Sequence, residues 1–130
     1  MKRVSVKFAT GFLIVLINIC FSQQALSEPI EHFSSQGNID NNAPFSHAVR
    51  VGDLLFLSGE LGTLPNSSKL VEGGIRSETK QTMDNIKASL AKHGLSMEDL
   101  VKCTVMLANI KDWPTFNKVY KPYFPTQFPT

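Results

Sequence analysis

Apolar and polar residues alternate with period two from His47 onward, with Ala48 and Arg50 on one side and Val49 and Val51 on the other. Period two marks a strand, because successive side chains leave opposite faces of a pleated backbone. Gly52-Asp53 then supplies a two-residue turn with glycine first, and the chain returns through "LLFLSGELG", residues 54–62. The pair reads as a β-hairpin. In the returning strand Leu54 and Phe56 point one way, Leu55 and Leu57 the other. Both faces are apolar and both need cover. Helices of a small domain cover one face, and a partner subunit is the expected cover for the other.

Helical spacing follows. Thr79, Met83, Ile86 and Leu90 recur at intervals of three and four and give one stripe of a helix predicted over residues 77–93. Ser77 is its expected N-cap and Gly94 its terminator. Ser96-Met97-Glu98-Asp99 reads as a single capped turn. Alternation resumes over residues 100–110, a predicted third strand with Val101, Cys103, Val105 and Leu107 on one face. Met106 and Ala108 partly cover the other. Asp112 is the expected cap of a second helix from Trp113 to about Tyr123, with Phe116, Val119, Tyr120 and Tyr123 as its buried stripe.

The order strand, strand, helix, strand, helix predicts an α+β domain with two helices on one face of the sheet. Three strands are thin for two helices, so more are expected. Residues 122–130, "PYFPTQFPT", hold three prolines. That excludes a helix interior or a central strand, because proline fixes φ and lacks a donor. The stretch reads as a loop leading to a further element.

The start of the chain has a different character. Residues 28–44 are rich in Ser, Asn, Gln and Pro without apolar period and read as a lead-in to a domain over residues 45–130. Before them, Lys2, Arg3 and Lys7 precede a nearly unbroken apolar run at residues 8–21, with small residues at Ala25 and Ser27. This is the pattern of a secretory signal cleaved near Ser27. The run is shorter than the roughly 20 residues that span a bilayer, which favours a cleaved signal over an uncleaved anchor. Ile19 is bulky where lipid attachment at Cys20 needs a small neighbour. The expected location is periplasmic or secreted, with membrane contact only through the signal.

Loss of the signal removes Lys2, Arg3 and Lys7 and takes the formal charge from +2 to −1. No basic run or aromatic-basic interleaving remains, which argues against a nucleic-acid partner. Cys103 is then the single cysteine and has no partner for an internal disulfide. His32, His47 and His93 lack ligand spacing to each other or to Cys103, so no metal is expected.

Candidate chemistry is sparse. Ser58-Gly59-Glu60 ends the second strand, where a glycine either admits a ligand close to the backbone or bends the strand. Ser58 lacks the flanking glycines of a hydrolase elbow and has no partner at a spacing that would activate it. Glu60 is either a general base or a solvated strand-end carboxylate. Cys103 in an apolar strand reads as a small core residue. Asn117 reads as a helix-surface amide.

In order, however, the pieces resemble the RidA/YjgF family. "APFSHAVRVGDLLFLSGELG", residues 43–62, is similar to its opening signature, and residues 81–124 match its later part. The Asn85-Ile86 helix centre, Val101-Lys102-x-Thr104-Val105 and Phe116-Asn117-x-x-Tyr120 fall in the right sequence at matching distances. The resemblance implies a chorismate-mutase-like α+β mixed sheet, assembled as a homotrimer with clefts between subunits for a small carboxylate-bearing ligand. It implies hydrolytic deamination of enamines and imines such as 2-aminoacrylate, to a 2-keto acid and ammonia, without cofactor or metal. It places Phe45, Ser58, Gly59, Glu60 and Asn117 at the substrate cleft. Phe45 stands where many members carry tyrosine and Glu60 where glutamine is common, which marks a divergent branch.

Family members continue from such a proline loop into Arg-Ser and two further strands. The arginine clamps the substrate carboxylate, and a later glutamate positions water. Neither charge lies within residues 1–130, so the expected fold lacks its last two strands, no catalytic residue is assigned, and these residues alone are expected to be inactive and marginally stable. A second reading is a non-catalytic binding or protective protein that uses the same cleft.

Overall fold

A computed structural model describes residues 28–34 and 44–130. The signal-like segment lies outside the described residues. Three strands, β1 (Ile30–Phe33), β2 (Ala48–Val51) and β3 (Leu54–Leu57), pair antiparallel in the order β1-β2-β3. Between β2 and β3, Val51 pairs with Leu54, so Gly52-Asp53 is the two-residue turn. Gly52 has φ +55° and Asp53 is not in the left-handed region, which is the glycine-first hairpin expected from the sequence.

β1 lies within the lead-in of residues 28–44, where the sequence shows no apolar period. Ile30 pairs with Val51 and Phe33 with Ala48. His47 N–H also donates to the Phe33 carbonyl at 2.8 Å. Four residues are too few to show a period, and the free edge of β2 supplies the partners that the local sequence does not advertise. Phe33 also meets His93 edge-on, ring centres 4.5 Å apart.

Helix α1 (Gly74–Lys92) begins three residues before the expected cap. Its N-cap is Gly73 with φ +107°, and no side chain caps it. Ser77 therefore sits inside the first turn, and the glycine pair turns the chain instead. The C-terminal end follows the sequence: Gly94 has φ +73° and donates to the Ala91 carbonyl. A 3₁₀ turn, Met97–Asp99, carries a full capping box, in which Ser96 and Asp99 exchange side-chain and backbone hydrogen bonds.

Residues 100–110 do not form the predicted third strand. Their alternation survives in burial from Cys103 onward, with Cys103, Val105 and Leu107 half-buried and Met106 and Ala108 exposed, whereas Val101, expected on the inner face, is exposed. A strand also needs a neighbour for its backbone groups. Within the described residues only Val101 and Cys103 find one: Cys103 N–H donates to the Thr130 carbonyl at 2.9 Å, and Thr130 N–H donates to the Val101 carbonyl at 3.0 Å. The second helix starts where expected, with Asp112 at its N-cap position, but the Asp112 side chain makes no capping bond. The side-chain cap lies earlier, where Asn109 accepts from Lys111 N–H at 3.1 Å over a 3₁₀ turn, Ile110–Asp112. Helix α2 (Trp113–Tyr120) follows, then a 3₁₀ turn, Lys121–Tyr123, where Pro122 ends α-helical bonding.

Met83, Leu90, Met97 and Phe124 form the buried core, with Leu57, Ile86, Leu95, Leu100, Tyr120 and Tyr123 packed around it. The other face of the sheet presents Ile30, Val51, Leu54 and Phe56, aligned across the three strands and all exposed.

Candidate functional site

Three segments meet where β3 ends. Ser58 N–H donates to the His47 carbonyl at 2.9 Å, and its hydroxyl donates to the Ser46 carbonyl at 2.7 Å. Ser58 is thus bolted to the segment leading into β2, and its only hydroxyl proton is committed there. On the other side of Gly59, Glu60 turns inward to α1. Its Oε1 accepts from the hydroxyl of Ser89 at 2.8 Å. His47 Nε2 lies 3.0 Å from the same hydroxyl and 3.7 Å from Glu60 Oε1. Ser89 is buried, and the His47 and Glu60 side chains are 23% and 16% exposed.

The serine has one proton to give, and the carboxylate only accepts. Ser89 therefore donates to Glu60 and accepts from His47, which must carry its proton on Nε2. Gly59 sits between these two anchors, exposed, and a Cβ built on it meets nothing within 4 Å. The strand end thus has fixed flanks and an open centre.

The loop beyond is laid on α1 with equal economy. Asn85 Nδ2 donates to the carbonyls of Leu61 and Thr63, each at 2.9 Å, while its Oδ1 accepts from Gln81. Gly62 touches the helix backbone so closely that a Cβ would stand 2.7 Å from the Glu78 carbonyl oxygen.

Asn117 lies elsewhere. It lines a cleft of about 250 Å³ with Cys103, Trp113, Phe116, Tyr120 and Lys121. None of Phe45, Ser58, Gly59 or Glu60 lines that cleft, and Phe45 is itself exposed. The structure thus brings Ser58, Gly59 and Glu60 together and leaves Asn117 and Phe45 apart within one chain. Burial pushes the Cys103 thiol up, against a hydrogen bond with Tyr120, so the thiol is not an activated nucleophile. Burial and the neighbouring Cys103 push Tyr120 up to about 12. Among the described residues no group of three His, Cys, Asp or Glu side chains is placed to hold a metal ion.

Sequence reasoning missed Ser89 and the use of His47. The available signal was a hydroxyl beside Leu90, three residues after Ile86, on the side of α1 that faces the sheet.

Residues 36–130 match the family described as Endoribonuclease L-PSP. The chain belongs to this family, which is also called RidA/YjgF. The 2-iminobutanoate/2-iminopropanoate deaminases of Bos taurus and Homo sapiens are 45% and 42% identical to it over 86 residues. In each case the match covers 66% of this chain and 63% of the relative, so the chain spans less than two thirds of the curated relatives' length. Among solved structures, the yeast protein YEO7 superposes with a TM-score of 0.71 at 35% identity, covering 78% of this chain and 81% of that one. RidA from the Antarctic bacterium Psychrobacter sp. PAMC 21119 gives 0.68 at 29% identity, covering 77% and 80%. The fold is the RidA-type α+β fold, here with a three-stranded antiparallel sheet and two helices.

Proposed function

We propose that this protein is a RidA-like hydrolytic deaminase of reactive enamines and imines of the 2-aminoacrylate type. The observation that carries the reading is its 45% identity to a 2-iminobutanoate/2-iminopropanoate deaminase over 86 residues. The chemistry asks little of a site. Water adds to the electrophilic imine carbon, its oxygen becomes the keto oxygen, both its protons finish on nitrogen, and the C–N bond breaks to release ammonia. The protein has to hold the substrate and place one water. The unobstructed Gly59 between fixed neighbours is suited to the first task.

The working unit in this reading is a homotrimer. Ile30, Val51, Leu54 and Phe56 form an apolar sheet face that a second copy covers. A neighbouring subunit also explains how Ser58 and Gly59 share a cleft with Asn117 when one chain holds them apart. The signal-like start supports a location in the periplasm or outside the cell, and in this reading exported material begins near Glu28.

The test follows 2-aminoacrylate breakdown by the full-length gene product, with the substrate generated in situ from serine. Ammonia release well above the uncatalysed rate is the expected result. Light scattering of the full-length product should give three times the subunit mass, and a monomer removes the shared cleft. The second reading, a ligand-binding protein without turnover, is favoured by one observation: Glu60 is tied to Ser89 rather than free for proton transfer. Saturable binding of a 2-keto acid without turnover would establish it.

A further inference from the structure

We propose that Ser89, Glu60 and His47 are positioning residues that hold the Gly59 peptide in its ligand-binding conformation. The inference rests on the reading of the β3 end as part of the ligand site; it adds Ser89 and His47, to which no role has been given, and makes Glu60 a positioning residue rather than a base. The argument begins with what is spent. Ser89 is buried at 4% exposure on the helix face against the sheet, a position whose stripe neighbours Met83 and Leu90 are apolar. A buried hydroxyl costs stability unless paired. This one is paired twice, donating to Glu60 Oε1 at 2.8 Å and lying 3.0 Å from His47 Nε2.

The pairing closes a ring through three elements. His47 grips Ser58 through its carbonyl and Ser89 through its ring. Ser89 grips Glu60. Ser58 and Glu60 are the two neighbours of Gly59, so both sides of that peptide unit are tied to α1 and to the start of β2. Gly59 itself has neither a side chain nor a contact on its Cβ side to hold it. A glycine in an exposed strand end is otherwise the most mobile backbone in the region. The ring converts it into a preorganised surface, which lowers the ordering cost of binding.

A merely structural tie and a positioning tie differ in what they change. The test uses the full-length gene product and compares Ser89→Ala, Glu60→Ala and Glu60→Gln. Glutamine keeps an acceptor oxygen for the Ser89 hydroxyl. Ser89→Ala and Glu60→Ala are expected to raise KM for the imine about tenfold with kcat within about twofold, the factor expected for one lost hydrogen bond to a charged group. They should also speed exchange of the Ser58 amide about tenfold relative to amides in α1. Glu60→Gln should restore both quantities to within about threefold. A fall in melting temperature with unchanged KM and unchanged Ser58 exchange would reduce the ring to a fold stabiliser and overturn the proposal. If the unsubstituted protein shows no turnover, the deaminase reading fails by itself. The exchange measurement then decides the ring: acceleration in Ser89→Ala reversed by Glu60→Gln supports it, and no acceleration overturns it.

Discussion

The end of β3 and the region around α2 are held by different physics. At the strand end almost every polar group has a named partner: Ser58, Glu60, Ser89, His47 and Asn85 lock three segments together. Around α2 the ties are rings. Trp113 stacks on Phe116, Phe116 on Tyr120, Tyr120 tilts on Phe124, and Phe124 meets Phe128, with ring centres 4.8–6.2 Å apart. The backbone of residues 101–108 has little beyond the two bonds with Thr130. Hydrogen bonds are directional and fix geometry, whereas apolar stacking supplies more free energy with less geometric demand. The strand end is therefore suited to present a ligand surface, and the aromatic region to hold the helices together.

The largest expected effect lies in the aromatic region. Phe124 is 6% exposed and joins the ring series to the core of Met83, Leu90 and Met97. Phe124→Ala should cost about 3–5 kcal/mol, the range for deleting a buried aromatic side chain, read from chemical denaturation. A loss under about 1 kcal/mol would mean the rings are not structural, and the contrast would collapse.

Next is Gly62→Ala at the strand end. The added methyl would stand 2.7 Å and 2.8 Å from backbone atoms of Glu78, which cannot swing aside like a side-chain tip. Overpacking of this kind costs about 1–3 kcal/mol. It should move the loop off α1, so exchange at Leu64 and Val71, whose amides bond the Lys69 and Gly62 carbonyls, should rise with the loss of stability. An unchanged denaturation midpoint would show that the loop is not laid tightly on the helix.

Asn85→Ala sharpens the same side of the comparison without adding bulk. It removes two donors and leaves the carbonyls of Leu61 and Thr63 without that partner. About 1–2 kcal/mol is expected, with the deficit confined to the loop in exchange data. A global loss instead would show that strand end and core unfold as one unit.

How far these two regions could be read beforehand follows from their physics. The hairpin, α1 and its glycine stop were legible because period and turn chemistry are local. Strand β1 was not, because Ile30–Phe33 acquires its structure from the edge of β2. Residues 100–110 alternate in sequence, and burial follows from Cys103 onward, but pairing is a property of neighbours and among the described residues only Thr130 serves. Ser58, Gly59 and Glu60 were picked out as a group, since they adjoin in sequence. The ring through Ser89 and His47 joins positions 42 apart along the chain, and no local pattern marks it. Asn117 is placed at the cleft by resemblance alone, and one chain leaves it in the other region.

The smallest effect tests the polar tie between the regions. The Tyr123 hydroxyl, just beyond α2, donates to Asp84 Oδ1 on α1 at 2.8 Å, while Lys80 bonds the other carboxylate oxygen at 2.6 Å. Burial, then Asp84 itself, pushes Tyr123 up to about 12. Burial acts to raise Asp84, but the hydrogen bonds from Lys80 and Tyr123 outweigh it and hold the carboxyl below its ordinary value of 3.8. For the tyrosine, a raised folded value means stability that is whole below about pH 10 and lost as pH climbs toward about 12. For the aspartate, a lowered folded value means stability present above about pH 3.8 and lost as pH falls through the depressed value. Tyr123→Phe deletes the shared bond. The site is partly solvated, so at pH 7 the variant should be less stable by only about 0.5–1 kcal/mol. That difference should shrink at both ends of the window, below the ordinary carboxylate range and above the ordinary tyrosine range. Denaturation of both proteins from acid to alkali measures it, and a gap constant across the whole span would show that the hydroxyl never bonded Asp84.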